Sequence, residues 1–321
     1  MQGLVDHRDS ISIAILGASG QIGRGLAIAL AVGPWAVLRL YARQATAFER
    51  DARALGLLNP RVSVHSLESF ERERHDVVIN AAGAGSRTRQ LALGAQQAHD
   101  TEALDQRVLS YLERFRDSTY VYLSTGAVYG FEREWPIPEN ASFRASPRDS
   151  DTLDMYPLAK LAAEARHRSM RSAHIYDIRI FGYFSRFITL DDGFFLSEVA
   201  RSLVRGTPLR TSAQDMVRDY IDQTELAALI RRLLRSQPPN GTFDIHSAAP
   251  VGKHELLEAL TTEFGLRVEY EGGRQPAPPL AKPAVPSACR RAAGVGHKPL
   301  RSSKEIVLSE MRALLLSQRG T

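Results

Sequence analysis

Apolar residues arrive along this chain in short bursts separated by longer amphipathic stretches. Residues 12–16, Ser-Ile-Ala-Ile-Leu, form an uncharged run that ends at a glycine, the pattern of a buried parallel strand. Comparable runs recur at 36–41, 61–65, 76–80 and 119–124, and again at 175–181 and 242–246. Between the first two lies a helical stretch, 24–32, stopped by Gly33-Pro34, and a long helical segment covers 87–116. Strands alternating with helices predict an α/β fold with a parallel sheet covered on both faces and right-handed crossovers. Residues 182–214 and 251–321 break this rhythm. They are expected to form a smaller, mostly C-terminal substrate-binding region, with 1–181 and 215–250 making the main domain. The Pro-rich stretch 275–286 is read as a surface connection, with a loop over the active site as the alternative, and no internal repeat is visible.

The first strand-to-helix junction reads Gly17-Ala18-Ser19-Gly20-Gln21-Ile22-Gly23. Glycines at this spacing permit a tight turn, a close approach of backbone to a pyrophosphate, and close packing of helix on strand. The free N–H groups and partial positive charge of the following helix suit phosphate. The sheet is therefore expected to be doubly wound in the Rossmann manner and to bind a dinucleotide. Many NAD-binding folds hold the adenine ribose with a carboxylate at the end of the second strand. Here that place reads Leu40-Tyr41-Ala42-Arg43, with no carboxylate. Arg43 suits a ribose 2′-phosphate and favours NADP, with NAD as the alternative.

Composition changes this picture little. The 321 residues are 44% hydrophobic and 24% charged, enough to bury a full core without staples. The single cysteine, Cys289, excludes an internal disulfide, and no cysteine–histidine cluster has metal-ligand spacing. The net charge of +5 comes from scattered arginines rather than a basic block, which fits a phosphate-bearing small molecule better than nucleic acid. No segment has the length and apolarity of a membrane span or a signal peptide, so the expected location is cytoplasmic.

Tyr156 and Lys160 stand four residues apart, one helical turn, on a common face. A neighbouring ammonium stabilises tyrosinate, so the phenol can exchange a proton with a hydroxyl or carbonyl oxygen while hydride moves at carbon. Pro157 belongs in a first helical turn, which puts Tyr156 at the helix start. About thirty residues earlier a strand ends in Ser124-Thr125-Gly126-Ala127-Val128-Tyr129-Gly130, and another ends in Asn80-Ala81-Ala82-Gly83. The carboxyl ends of such strands are where open α/β sheets bind ligands.

Taken in order, the glycine turn, Asn80-Ala81-Ala82-Gly83, Ser124-Thr125…Tyr129-Gly130 and Tyr156…Lys160 resemble the extended short-chain dehydrogenase/reductase family. That family includes NAD(P)-dependent nucleotide-sugar epimerases, dehydratases and reductases. The resemblance implies cofactor contacts from Gly17, Ser19, Gly20, Gln21, Ile22, Gly23, Asn80, Ala81, Ala82 and Gly83. It implies that Thr125 hydrogen-bonds the reacting sugar oxygen, that Tyr156 is the acid/base and that Lys160 binds the nicotinamide ribose. Gly126 would line the substrate, and Arg218 of Arg218-Asp219-Tyr220-Ile221 would contact its phosphates. Gly241-Thr242-Phe243-Asp244-Ile245 resembles the family's late strand and Gly296-His297-Lys298-Pro299 its C-terminal turn; a homodimer is common in the family.

Departures narrow the choice. The family's 4,6-dehydratases carry Asp-Glu after the threonine, whereas here the residues are Gly126 and Ala127, which have no acid/base chemistry. Arg179-Ile180-Phe181-Gly182 lacks the family's asparagine, and His65-Ser66-Leu67 lacks its acidic residue after the third strand. With Arg43 pointing to NADP, the expected activity is NADPH-dependent reduction of a 4-keto nucleotide-sugar. The alternatives are a C4-epimerase with tightly bound NAD, a reductase of non-nucleotide carbonyls, and a non-catalytic NADP sensor, against which the retained Tyr156/Lys160 pair argues.

Overall fold

All seven apolar runs line up edge to edge in one parallel sheet. The computed structural model describes residues 10–83, 95–129, 136–138, 141, 155–273 and 286–319. The chain begins β1 (Ile11–Leu16), α1 (Gln21–Leu30), β2 (Ala36–Ala42), α2 (Ala45–Ala54), β3 (Val62–Ser66), β4 (Val77–Asn80), α3 (Ala95–Arg114) and β5 (Thr119–Thr125). It continues α4 (Met155–Ser169), β6 (His174–Ile180), α5 (Phe195–Arg205), β7 (Leu209–Thr211), β8 (Val217–Arg218), α6 (Gln223–Ser236) and β9 (Gly241–Ile245). Last come β10 (Val251–Gly252), α7 (Lys253–Phe264), β11 (Val268–Tyr270), α8 (Arg291–Gly294) and α9 (Ser303–Arg319). The main sheet has the order β3-β2-β1-β4-β5-β6-β9 and is parallel throughout.

Side-chain alternation decides how that sheet is covered, because successive residues of a strand face opposite sides. Ile13 and Ile15 of β1, like Val121 and Leu123 of β5, join a cluster with Leu26 and Leu30 of α1, Phe48 of α2 and Leu229 and Ile230 of α6. Ala14 and Leu16, like Tyr120 and Tyr122, face the other way and pack with Val108 and Leu112 of α3 and Ala163 of α4. A strand buried on both faces must be apolar at nearly every position, which is why these runs showed no clean alternation in the sequence.

A third cluster lies apart from the sheet. Phe184, Leu196, Val199, Leu209, Val251, Leu256, Leu260, Val307 and Met311 bring α5, α7 and α9 together. Described residues of 182–214 and 251–319 supply this cluster, beside which run the pairs β10–β8 and β11–β7. Residues 217–218, grouped above with the main domain, pair with β10.

Some boundaries moved. The helix expected at 24–32 starts at Gln21 and stops at Leu30, so the third glycine of the motif lies inside the first turn. The long helix spans Ala95–Arg114; residues 87–94 lie outside the described residues, as do Gly130 and all of the Pro-rich stretch except Pro286. Among the described residues no helix is long and apolar enough to cross a membrane.

Candidate active site

The chain lays down β2 and β3 on one side of β1, then crosses to β4 on the other. A crevice opens at the carboxyl ends of strands where the winding reverses. Both segments singled out for the cofactor lie there, since Leu16 and Asn80, the last residues of β1 and β4, are register partners. Gly17 has φ +77°, and a Cβ on it would sit 2.6 Å from Ala82 Cα. A Cβ on Gly23 would sit 2.4 Å from the Gly17 oxygen. Only glycine fits either position. The Gly17 and Ala18 amides both donate to the Tyr41 carbonyl, at 3.0 and 3.1 Å, which ties the turn to the end of β2.

Gly20 is the extended N-cap of α1, and no side chain caps it. The first-turn amides of Gln21, Ile22 and Gly23 therefore present an uncapped helix terminus beside the exposed Ser19 and Gly20. Gln21 Nε2 is buried without a hydrogen-bond partner among the described residues. A glycine cradle, an open helix N-terminus and an orphaned amide donor fit a dinucleotide pyrophosphate. Arg43 is exposed two residues beyond Tyr41 and makes no hydrogen bond or ion pair among the described residues.

Thr125 ends β5 opposite Ile180 of β6. Its Oγ1 accepts the Ala127 amide at 3.2 Å, which opens a short 3-10 turn, Gly126–Tyr129. Gly126 is buried, and a Cβ there would meet the Phe181 ring at 2.5 Å. Tyr156 and Lys160 both stand on α4, with Pro157 in its first turn as expected. Lys160 Nζ lies 5.6 Å from the Tyr156 ring centre and 4.2 Å from that of Tyr122, and donates to the Leu123 carbonyl at 2.8 Å. Burial pushes the Lys160 ammonium down to about 8, against the pull of Asp105, Glu164 and Asp177.

Arg218 stands on β8, exposed, and shares a small pocket with Phe195, Met216, Tyr220, Val251 and Lys253. Its segment still reaches the sheet. The Ile221 amide donates to the Gly182 carbonyl at 3.0 Å, and a Cβ on Gly182 would lie 2.3 Å from the Asp219 oxygen. Gly126, Phe181, Gly182 and Asp219 thus follow one another along the carboxyl edge of β5 and β6.

The sequence reading missed a buried polar network beneath this edge. Glu164, one turn beyond Lys160, accepts from Ser124 Oγ at 2.6 Å and from Arg179 Nε and Nη2 at 3.0 and 2.5 Å. Arg179 Nη1 also donates to the Tyr129 hydroxyl at 2.6 Å, and that hydroxyl donates to Asp244 Oδ2 at 2.9 Å. Burial raises the Asp244 carboxyl, while burial of Arg179 is outweighed by Glu164, which raises the guanidinium. A signal was present: Lys160, Glu164 and His167 share the i, i+4, i+7 stripe that helix α4 turns to the sheet.

Two kinds of similarity agree with this geometry. The family described as NAD dependent epimerase/dehydratase matches residues 13–245, and the chain belongs to it. Among solved structures, the chain is similar to UDP-glucuronic acid 4-epimerase from Bacillus cereus in complex with NAD, at 16% identity and TM-score 0.72, over 96% of this chain and 99% of that one. It is similar to UDP-glucose 4-epimerase from Bifidobacterium longum in complex with NAD+ and UDP, at 16% identity and TM-score 0.72, over the same 96% and 99%. UDP-glucose 4-epimerase of Thermotoga maritima with UDP-glucose matches at 15% identity and TM-score 0.74, over 97% and 100%. No curated protein matches the sequence.

Proposed function

We propose that this chain is a nucleoside diphosphate sugar 4-epimerase that retains its nicotinamide cofactor. The observation that carries the reading is the array of Thr125, Tyr156 and Lys160 at the sheet edge, with Gly126 and Ala127 where a dehydratase needs carboxylates. Family membership and the UDP-sugar epimerases of the same fold support epimerisation over the NADPH-dependent reduction that Arg43 suggested.

When bound, the nicotinamide supplies reversible hydride transfer. The chain's residues supply the rest. Tyr156 takes the proton of the C4 hydroxyl as the 4-ketone forms and, once the ketone has turned over, returns that proton to the C4 oxygen. Thr125 orients that oxygen, its own oxygen already anchored by the Ala127 amide. Lys160 favours the tyrosinate while it remains charged. Arg218 and the region of residues 182–214 and 251–321 hold the nucleotide, and the active form is a homodimer.

Purified protein is incubated with UDP-glucose without added cofactor, and the C4 epimer is followed by proton NMR. Appearance of UDP-galactose supports the reading. Stoichiometric oxidation of NADPH by a 4-keto nucleotide-sugar, with no epimer formed, replaces it with the reductase. That second reading rests on Arg43, exposed at the end of β2 where a ribose 2′-phosphate would lie. Arg43→Ala then weakens NADPH binding but not NADH binding.

A further inference from the structure

Asn80 has been read only through its place beside the cofactor cradle, yet it is the last member of a buried chain of polar groups. His167 of α4 lies between two carboxylates, with Nδ1 2.5 Å from Asp177 Oδ1 and Nε2 2.9 Å from Asp105 Oδ1. The Tyr120 hydroxyl donates to the same Asp105 oxygen at 3.0 Å. Asn80 Nδ2 donates to the Tyr120 hydroxyl at 3.0 Å, and the Ala82 amide donates to Asn80 Oδ1 at 3.1 Å. Asp177, His167, Asp105, Tyr120 and Asn80 are all at most 2% exposed. Their elements are β6, α4, α3, β5 and β4, so the chain crosses three adjacent strands and both helices of that face.

The direction of every hydrogen bond follows from the carboxylates. Asp105 has no hydrogen to give, so each contact to it is an acceptance. Tyr120 commits its one proton there and can only accept from Asn80. Asn80 must therefore offer its amide nitrogen to Tyr120, which turns its oxygen toward Ala82. Between two carboxylates His167 carries a proton on each ring nitrogen. Burial opposes that charge, but the hydrogen bonds to Asp105 and Asp177 prevail and lift the imidazole to about 9.

The other groups facing His167 are consistent with this. Arg166 reaches Asp105 Oδ2 at 3.2 Å and Arg168 lies 3.6 Å from Asp177 Oδ2. Tyr120 and Tyr122 meet the imidazole edge-on at 5.4 and 5.0 Å, and Glu164 and Lys160 stand on its own helix.

We propose that Asp105 is the fixed point of a buried hydrogen-bond relay, Asp177–His167–Asp105–Tyr120–Asn80, that clamps the Tyr156/Lys160 helix to the Ala82 corner of the cofactor cradle. Tyr120 and Asp105 are positioning residues: neither touches the reacting atoms. Through Asn80 they hold the backbone against which Gly17 packs. Cofactor seat and acid/base helix are thereby kept in one register. Only the final link, to the cofactor, rests on the proposed function.

Tyr120→Phe cuts the relay and keeps the ring. Tyr122→Phe is the control, because the Tyr122 hydroxyl, two residues along the same strand face, is buried with no partner among the described residues. Amide hydrogen exchange at Ala82 is compared in the two variants, and NADH affinity is measured by fluorescence titration. Ala82 is expected to exchange about fivefold faster in Tyr120→Phe than in Tyr122→Phe, and NADH to bind about fivefold more weakly than in wild type. Equal exchange in the two variants overturns the relay, and so does wild-type NADH affinity in Tyr120→Phe. A wild-type protein that binds neither NADH nor NADPH refutes the functional reading, while the exchange comparison still decides the relay. Should Tyr120→Phe fail to fold, Asp105→Ala takes its place, since it removes the one oxygen that accepts from both Tyr120 and His167. Ala82 exchange unchanged in that variant overturns the proposal equally.

Discussion

Removing Glu164 is the sharpest test of the network under the site. Its side chain is fully buried and holds Arg179, itself only 13% exposed, by two hydrogen bonds. Glu164→Ala leaves that guanidinium in the interior with the Tyr129 hydroxyl as its remaining hydrogen-bond partner among the described residues. Breaking a buried pair from one side costs about 3–5 kcal/mol, most of it the uncompensated charge. A melting entropy of about 2.1 cal/mol/K per residue, over 321 residues, is about 0.67 kcal/mol/K. The expected fall in Tm is therefore about 4–7 °C. Scanning calorimetry or urea unfolding measures it. Glu164→Gln, which keeps one acceptor oxygen, should fall between the variant and wild type. The comparison is Glu49→Ala, whose partner Arg53 is 71% exposed and whose loss should cost less than about 0.5 kcal/mol. A Glu164→Ala protein within about 1 kcal/mol of wild type would refute the claim that Arg179 depends on this carboxylate.

Three further outcomes are expected. Tyr156→Phe should lower kcat by about two to four orders of magnitude with cofactor affinity nearly unchanged, and near-normal turnover would remove Tyr156 from the mechanism. Stability should depend on pH through His167: its folded-state value is raised from 6.5 to about 9, so its contribution is complete below pH 6.5 and is lost as pH rises toward 9. Lys160, lowered from 10.5 to about 8, acts with the opposite sign above pH 8, where the folded state binds fewer protons than the unfolded chain. Urea midpoints should thus fall between pH 6.5 and 8 and flatten beyond it, and an identical slope in His167→Gln would contradict the assignment. Gly17→Ala should abolish dinucleotide binding, because the new methyl meets Ala82 Cα at 2.6 Å and the backbone keeps φ +77°; isothermal titration with NADH and NADPH reads this, and retained binding would mean the turn can rearrange.

Local order carried much of this protein. Apolar runs of strand length, the glycine spacing after β1, Pro157 at the start of α4 and the four-residue step from Tyr156 to Lys160 are short-range features. Each depends on backbone geometry within a few residues, so the sheet, the glycine turn and the placing of Tyr156 and Lys160 one turn apart on a helix were legible from the chain itself. The helix boundary at Gln21 was not, since it depends on Gly23 packing against Gly17 and Ala18 rather than on propensity. Nor was the fate of Arg179, which opens a stretch where Gly182 stands in place of the family's asparagine and which in the fold is bound to Glu164 and Tyr129. Polar residues at core-facing positions, Asp177 and Arg179 on β6 and Glu164 and His167 on α4, look in sequence like ordinary exceptions to the apolar pattern. Only tertiary structure brings Asp105, 62 residues before His167, to the other side of the imidazole. Burial then raises the value of each hydrogen bond and the penalty for each one missing, and that low-dielectric setting turns scattered charges into a single connected network.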